Sequence, residues 1–183
     1  MVTSSFPLIF LDIDGVLNSK QHQEYRRSCA GKEKRRQIFA THSDTRIALG
    51  LVLLDYTKVA LLRDLIEVTG SRIVISSTYR EGVQPTYFET LFRLAGHPLP
   101  RGTVIGFTPI LDEVQYQKRG HEIDFWLNKT GYSGRYLIID DDNEKLFLPG
   151  QNLYHVDNRI GLSKVDCQNI KMLLTDDKYW NES

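Results

Sequence analysis

The sequence predicts an α/β fold in which helices cover both faces of a parallel sheet. Three short, mostly apolar runs are typical of strands buried on both sides, and each ends in acidic or hydroxyl residues: Leu8–Leu11, Arg72–Ile75 and residues 136–139. Apolar residues at helical spacing lie between the strands, most clearly from Asp55 to Gly70. Strands that alternate with helices indicate a parallel sheet joined by right-handed crossovers.

The chain has 183 residues, with 23 basic and 23 acidic side chains and a formal net charge of zero. This length suits one domain, and we expect residues 1–183 to form it. The balanced charge excludes a global attraction to polyanions. Cys29 and Cys167 are too few for a disulfide scaffold or a zinc site, which favours a reduced, cytoplasmic setting. No targeting segment is visible, and the longest nearly apolar run, residues 47–54, is far short of the roughly 20 residues that a membrane span needs.

The first strand runs into Asp12, Ile13, Asp14 and Gly15, a pattern that favours a ligand site. Open α/β sheets bind ligands at the carboxyl ends of their strands, where glycine allows a sharp turn and a close backbone approach. Carboxylates this close repel each other unless a cation lies between them, and hard oxygen ligands suit Mg²⁺. The alternative is an ordinary turn that the aspartates help to form.

Residues 19–52 are too many for a simple connection from a strand to a helix, and we interpret them as an insertion. They carry eight basic and three acidic side chains, an excess of five positive charges. One interpretation is a small basic cap over the sheet edge that contacts an anionic substrate. The other is a solvated loop with a short helix, because charge runs are common on surfaces.

The second strand is followed by Ser76, Ser77, Thr78, Tyr79 and Arg80. Ser76 is our candidate for a contact to a phosphate, because it directly follows the apolar run. Arg80 is a second candidate anion ligand, since a guanidinium can grip a phosphate in two places. The alternative is that the hydroxyl residues cap a helix.

Two basic residues, Lys118 and Arg119, open a predicted helix that ends at Gly131. A helix at about 86–95 and a short strand at 103–107 precede it. Basic groups at a helix start oppose the helix dipole, so a nearby anion or carboxylate would account for them. The alternative is a solvent-facing pair, and the sequence does not separate Lys118 from Arg119.

The strand at 136–139 ends in three consecutive aspartates, Asp140, Asp141 and Asp142. Like charges so close raise one another's pKa unless a cation compensates, which favours a metal site over an acidic helix cap. A last strand at 152–156 and a helix that begins at Ser163 complete the predicted fold.

These four motifs, in this order, resemble those of the haloacid dehalogenase-like (HAD) phosphohydrolases, which have a Rossmann-like sheet. The resemblance implies that Asp12 is the nucleophile and Asp14 the general acid/base. It implies that Ser76 holds a phosphate oxygen, and that Lys118 or Arg119 neutralises the nucleophile and the phosphate.

The resemblance also implies a Mg²⁺ site. Asp12, the backbone carbonyl of Asp14 and the Asp141 carboxylate would bind the ion, with Asp140 as a ligand or in the layer behind it. We add Ser77 and Arg80 as substrate-binding candidates.

Two longer patterns are similar to those of a HAD subgroup associated with RNA-repair enzymes. Residues 76–80 follow its Ser-Ser-x-Trp-Arg signature, with Tyr79 in place of the tryptophan. Its Arg-Gly-x-Glu-Ile-x-x-Trp-Leu pattern begins at Arg119.

The resemblance therefore implies a Mg²⁺-dependent phosphatase that hydrolyses a phosphate monoester through an aspartyl-phosphate intermediate. The basic insertion and the RNA-repair signature favour a phosphorylated nucleic-acid end or a nucleotide as substrate. The alternatives are a small-metabolite phosphatase, a transferase on the same scaffold, or a non-catalytic module that binds a phosphate or a nucleotide. Intact Asp12 and Asp14 speak against the last of these. We expect no membrane partner and no obligate protein partner.

Overall fold

A computed structural model describes residues 6–111 and 118–179. Its sheet has five parallel strands in the order β3-β2-β1-β4-β5. The strands are β1 (Leu8–Leu11), β2 (Arg72–Ile75), β3 (Val104–Phe107), β4 (Tyr136–Asp140) and β5 (Leu153–His155). The predicted parallel α/β sheet is confirmed.

Seven α-helices accompany the sheet in the described part of the chain. They are α1 (Lys20–Arg27), α2 (Cys29–Thr41), α3 (Thr45–Leu53), α4 (Tyr56–Thr69), α5 (Pro85–Leu94), α6 (Arg119–Thr130) and α7 (Lys164–Thr175). Asp55 caps the start of α4, Gly70 ends it with φ +64°, and Ser163 forms a capping box with Asp166. The predicted helix boundaries are therefore confirmed at these ends.

The core lies on both faces of the sheet, because consecutive side chains of a strand point to opposite sides. Ile9 and Leu11 of β1 pack with apolar residues of α4, α5 and α7. Leu8 and Phe10 pack on the other face, where α6 contributes Ile123. Both faces of β1 are thus covered, which explains its uninterrupted apolar run.

One interpretation of the insertion was a solvated loop with a single short helix, and the structure differs from it. It forms three helices, α1 to α3, whose first turns are capped by the side chains of Ser19, Ser28 and Asp44. These capping groups accept from backbone N–H groups that a helix start leaves free, so they favour helix over loop. Within the insertion, α2 packs against both α1 and α3. Helix α3 in turn packs against α5 of the core.

One end of this insertion is tied to the loop that follows β5, and the other end to the loop that follows β1. Lys20 N donates to Asn158 O at 2.9 Å, and Asp55 N donates to Leu17 O at 2.9 Å. The insertion therefore leaves and rejoins the fold beside the carboxyl end of β1. The predicted single domain over 1–183 stays a prediction, and residues 1–5, 112–117 and 180–183 lie outside the described residues.

The strand order creates a switch point beside β1. The chain moves from β1 to β2 and β3 on one side, then returns to β4 and β5 on the other. Open α/β sheets bind ligands at such a point, outside the carboxyl ends of the strands. No helix in the described residues is both long and apolar enough to span a membrane.

Candidate active site

The polar residues that follow β1, β2 and β4 meet at one edge of the sheet. Backbone hydrogen bonds continue the ladder past the strand ends, from Asp12 N to Ile139 O at 3.0 Å and from Ser76 N to Leu11 O at 2.9 Å. This pairing fixes the backbone that carries the aspartate and the serine. The sheet itself therefore positions the site.

Three carboxylates form the centre of this edge. Asp12, Asp140 and Asp141 each offer an oxygen, and these atoms all lie within 4.8 Å of one another. Burial raises the pKa of Asp12 to about 7, although the nearby Arg119 guanidinium opposes the rise. Burial also raises the pKa of Asp140 and of Asp141. The group needs positive charge to hold all three carboxylates ionised.

Arg119 supplies part of that charge from the first position of α6. Its Nη1 lies 3.2 Å from Asp12 Oδ1 and also contacts Asp140, while its Nη2 lies 3.3 Å from Asp142 Oδ2. Burial alone would lower the pKa of Arg119, but the Asp12 and Asp140 carboxylates raise it above its usual value. Lys118 is exposed and lines a separate cavity with Glu144 and Phe147. Of the two basic residues that the sequence left open, Arg119 is the one that contacts the aspartates.

Asp140 and Asp141 face different surroundings. Asp140 is fully buried, and its two oxygens contact Arg119 and accept from Asp142 N at 2.9 Å. The Asp141 carboxylate packs against Gly15, where an added Cβ would lie 2.1 Å from Asp141 Cγ. Gly15 also has φ +68°, so both its conformation and its contact with Asp141 require glycine.

Asp14 lies on the outer side of the site. In contrast to buried Asp12, Asp14 is exposed. Asn18 Nδ2 donates to its Oδ1 at 2.6 Å and also lies 3.4 Å from the Tyr79 hydroxyl. Gly15 N in turn donates to Asn18 Oδ1 at 3.3 Å. The loop after β1 thus holds this second carboxylate at the solvent boundary.

The hydroxyls of Ser76 and Ser77 are buried at the end of β2. Neither Oγ has a hydrogen-bond partner among the described residues. Ser77 nevertheless lies near enough to Asp12 for its hydroxyl to favour the ionised carboxylate and so lower the pKa. Ser77 therefore approaches Asp12 without reaching full hydrogen-bond geometry. The Ser77 hydroxyl thus lies near the Asp12 carboxylate, and neither serine hydroxyl is committed to another group among the described residues.

Arg80 has a different environment from the one that we predicted. Its guanidinium donates to the carbonyls of Ser77, Thr108 and Pro109 at 2.8, 3.0 and 3.1 Å, and to Glu122 Oε2 at 2.8 Å. The side chain is buried, and this burial lowers the pKa of Arg80, although the negative charge of Glu122 acts to raise it. With four of its donor contacts made inside the protein, Arg80 ties β2 and β3 to α6, and this geometry favours anchoring over contact with a phosphate.

Two residues at the site were missed by sequence reasoning. Asn18 bridges Asp14 and Tyr79, and its only signal is its place at the end of the loop that begins with Asp14. Thr108 follows β3 with a buried hydroxyl that has no partner among the described residues, next to the carbonyl that Arg80 binds. No feature of the local sequence distinguishes Thr108 from an ordinary residue at a strand end.

The donor set fits a hard divalent cation. Three converging carboxylates supply only oxygen ligands, and their burial disfavours their charged forms unless positive charge is close. Arg119 contacts one oxygen of Asp12, and its ion pairs do not include Asp141. Both carboxylates therefore keep lone pairs for an ion.

The family comparison agrees with this geometry. Residues 8–167 match the family described as the HAD domain in Swiss Army Knife RNA repair proteins. The chain belongs to the HAD superfamily. No curated protein and no solved structure matches it. The matched region spans every strand of the sheet, and the HAD family indicates a hydrolase of the phosphatase type with an acidic cluster able to hold a divalent metal.

Proposed function

We propose that this HAD protein is a Mg²⁺-dependent phosphatase that removes a terminal phosphate from a nucleic acid through an aspartyl-phosphate intermediate. One observation carries the proposal. The buried Asp12 carboxylate contacts Arg119 and has an oxygen within 4.8 Å of oxygens of Asp140 and Asp141, while Asp14, two residues on, is exposed. One aspartate is thus placed for attack and the other for exchange of protons with the leaving group or water.

The reaction has two steps. In the first, an Asp12 oxygen bonds to phosphorus as the ester P–O bond breaks, and Asp14 gives a proton to the departing oxygen. In the second, Asp14 takes a proton from water, whose oxygen bonds to phosphorus. The bond between Asp12 and phosphorus then breaks, which restores the carboxylate and releases inorganic phosphate.

Arg119 and the serines bind the transferring phosphoryl group in this proposal. Arg119 is chosen over Lys118 because it contacts the nucleophile, and a guanidinium matches phosphate oxygens with two parallel donors. Ser76 and Ser77 offer buried hydroxyls that lack other partners among the described residues. Arg80 positions Ser77 by binding its carbonyl.

Asp12 and Asp141 would hold the metal, together with the backbone carbonyl of Asp14. Asp140 would lie behind them, because its oxygens already contact Arg119 and Asp142 N. When bound, Mg²⁺ neutralises negative charge where an anionic phosphate must approach a carboxylate.

A nucleic-acid end is favoured over a sugar phosphate for two reasons. The matched family is named for RNA repair proteins. In addition, Asp14 is exposed, so the leaving-group side opens to solvent and can accept a large substrate. The basic insertion over residues 19–52 would then act as a cap beside that opening.

The test measures phosphate release from p-nitrophenyl phosphate, from 3′- and 5′-phosphorylated oligonucleotides and from sugar phosphates, with Mg²⁺ or with a chelator. We expect Mg²⁺-dependent release, with the highest kcat/KM for an oligonucleotide end. Activity restricted to sugar phosphates would contradict the substrate, and no release from any substrate would contradict the phosphatase. Reaction in ¹⁸O-labelled water should place one ¹⁸O in the released phosphate, whereas a transferase would pass the phosphoryl group to another acceptor.

A further inference from the structure

The residues that directly follow β1, β2 and β3 form one row across the carboxyl edge of the sheet. These three strands pair in parallel. Backbone bonds carry the pairing one residue beyond their ends, because Ser76 N donates to Leu11 O at 2.9 Å and Thr108 N donates to Ile75 O at 3.1 Å. Asp12, Ser76 and Thr108 are therefore neighbours, with the serine in the middle.

The side chains of this row lie on the face of the sheet that α6 covers. Two residues earlier on the first two strands, Phe10 and Val74 pack with apolar residues of α6. On the third strand, an added Cβ at Gly106 would lie 3.7 Å from Trp126 Nε1 of α6. Alternate residues of a strand share a face, so the row lies under α6 as well. Arg119 of α6 contacts the aspartate of the row from this side.

Ser76 and Thr108 carry buried hydroxyls that are unpaired. The two residues are 0% and 2% exposed, and neither hydroxyl oxygen has a hydrogen-bond partner among the described residues. A buried hydroxyl without a partner costs free energy, and such groups commonly bind an internal water. Neighbouring strands lie about 4.8 Å apart. One water at about 2.8 Å from each oxygen has the right size to bridge them.

Arg80 holds the two strand ends that carry these hydroxyls. Its Nε donates to Thr108 O at 3.0 Å, and its Nη1 donates to Ser77 O at 2.8 Å. Its Nη2 donates to Glu122 Oε2 of α6 at 2.8 Å, which fixes the guanidinium in turn. The ends of β2 and β3 are thus kept at a constant separation, as a bridging water requires.

We propose that Thr108 is a positioning residue that orients the Ser76 hydroxyl through one buried water. The inference rests on the proposed phosphatase function, in which Ser76 donates to an oxygen of the transferring phosphoryl group. The Thr108 hydroxyl donates to the water, and the water donates to a lone pair of Ser76 Oγ. The single hydroxyl proton of Ser76 then points along the row toward Asp12 and the phosphoryl group. Hydrogen bonds that run in one direction strengthen one another.

A crystal structure tests the water directly. In wild type we expect electron density for one water within about 3.2 Å of both Ser76 Oγ and Thr108 Oγ1. Thr108→Val has nearly the same shape but no hydroxyl, so this variant should lose the water.

Kinetics on p-nitrophenyl phosphate test the role of the water. We expect Thr108→Val to lower kcat/KM by about tenfold, the effect of one hydrogen bond. Thr108→Ser keeps the hydroxyl and should stay within about twofold of wild type. In a Ser76→Ala background, Thr108→Val should cause no more than about a twofold further loss, because the group that it orients is gone. A role in folding alone would lower activity equally in both backgrounds.

Thr103→Val is the matched control, because Thr103 is buried at the other end of β3, directly before Val104. Its hydroxyl donates to Pro100 O at 2.6 Å, so the variant should lower Tm while kcat/KM stays at the wild-type value. If Thr108→Val does not fold, Thr108→Ala removes the same hydroxyl with less bulk. The crystal structure of wild type needs no variant at all.

Three outcomes overturn the inference. A wild-type site without the water, or with the two hydroxyls bonded directly to each other, would remove the bridge. Unchanged kcat/KM in Thr108→Val would remove the positioning role while leaving the phosphatase function in place. A loss of about tenfold that persists in Ser76→Ala would mean that Thr108 acts through another group. Absence of phosphate release by wild type from every substrate would instead overturn the underlying function, and the inference with it.

Discussion

Asp12 and Asp14 are two residues apart, yet their surroundings prepare them for different chemistry. Asp12 is 3% exposed, contacts Arg119 and has a pKa raised to about 7 by burial. Asp14 is exposed and bound by the Asn18 amide. A buried carboxylate next to a guanidinium suits a nucleophile, and an accessible one suits exchange of protons with the leaving group or water.

Asp12→Asn should abolish turnover without unfolding the protein. An amide has nearly the size of a carboxylate but cannot act as the nucleophile, so we expect phosphate release below roughly one per cent of wild type. Phosphate release and thermal unfolding would be measured on the same samples. Asp64→Asn, on an exposed aspartate of α4, should leave both unchanged. Substantial Mg²⁺-dependent activity in Asp12→Asn would show that another group attacks phosphorus.

Arg119→Ala and Lys118→Ala should separate the two basic residues that open α6. Arg119 contacts the nucleophile, so its loss should lower kcat by about 10²–10³-fold, as for removal of one donor to a developing anion. Lys118→Ala should stay within about twofold of wild type, the range expected for an exposed side chain that lacks such contacts. The measurement is kcat for p-nitrophenyl phosphate at saturating Mg²⁺. The reverse order of effects would assign this function to Lys118.

At the scale of elements, a buried histidine joins α1 of the insertion to the residue that caps α4. His22 is buried on this helix, with Nδ1 4.0 Å from Asp55 Oδ2 at the start of α4. Its neighbours Arg26 and Lys34 are both cationic, so protonation of the ring would add a third positive charge in a confined space. The interface between α1 and α4 should therefore be sensitive to acid.

Burial lowers the pKa of His22 below 6.5, although Asp55 opposes this shift. In the pH range between the lowered value and 6.5, the unfolded state binds more protons, so the free energy of unfolding falls as the pH falls. Wild type should thus lose more thermal stability between pH 7.5 and 5.5 than His22→Gln does. The buried aspartates are present in both proteins, so their contribution to the pH dependence of Tm cancels in this comparison.

His42→Gln is the control for that experiment, since His42 ends α2 and its Nδ1 contacts the Thr41 hydroxyl and the Ile38 carbonyl. It should show the same pH dependence of Tm as wild type. An identical loss of Tm in wild type and His22→Gln would mean that this histidine does not couple folding to pH.

At the scale of the whole molecule, the strand order brings distant parts of the chain to one edge. Asp12 and Asp141 are more than a hundred residues apart, yet β1 and β4 are neighbours in the sheet. Ser76 reaches the same edge through β2, on the other side of β1. The site therefore depends on the intact sheet, and a ligand bound there should stabilise the whole fold.

Mg²⁺ should raise Tm because it binds only the folded arrangement of carboxylates. At a concentration of 100 times Kd the gain is about 2.7 kcal/mol. For a chain of this size that corresponds to a rise of about 5–10 °C. Thermal unfolding would be followed with Mg²⁺ or with EDTA.

Asp141→Asn should lose this rise, whereas Asp142→Asn should keep it, because Asp142 lies outside the group of three converging carboxylates. A wild-type Tm that responds to neither Mg²⁺ nor chelator would contradict the proposed metal site.

The sequence by itself determined the fold class and the motif positions of the site. Local patterns were enough for this, because apolar runs indicate buried strands and polar residues at their ends lie at the sheet edge whatever the strand order. Asp12, Ser76 and the run from Asp140 to Asp142 could be located in this way. The pair Lys118 and Arg119 could be placed at a helix start, but not separated. The capping box at Ser163 was equally readable, since it involves residues three positions apart.

Tertiary structure alone decided the contacts between groups far apart in the chain. Lys118 and Arg119 are adjacent, and only the orientation of α6 against β1 and β4 directs Arg119 to the aspartates. Arg80 was expected to meet phosphate, but carbonyls after β3 and Glu122 of α6 hold it inside the protein. The unpaired Nε of Arg26 likewise follows from how the insertion folds. Such partners are set by packing across the sheet, which no local spacing of residues encodes.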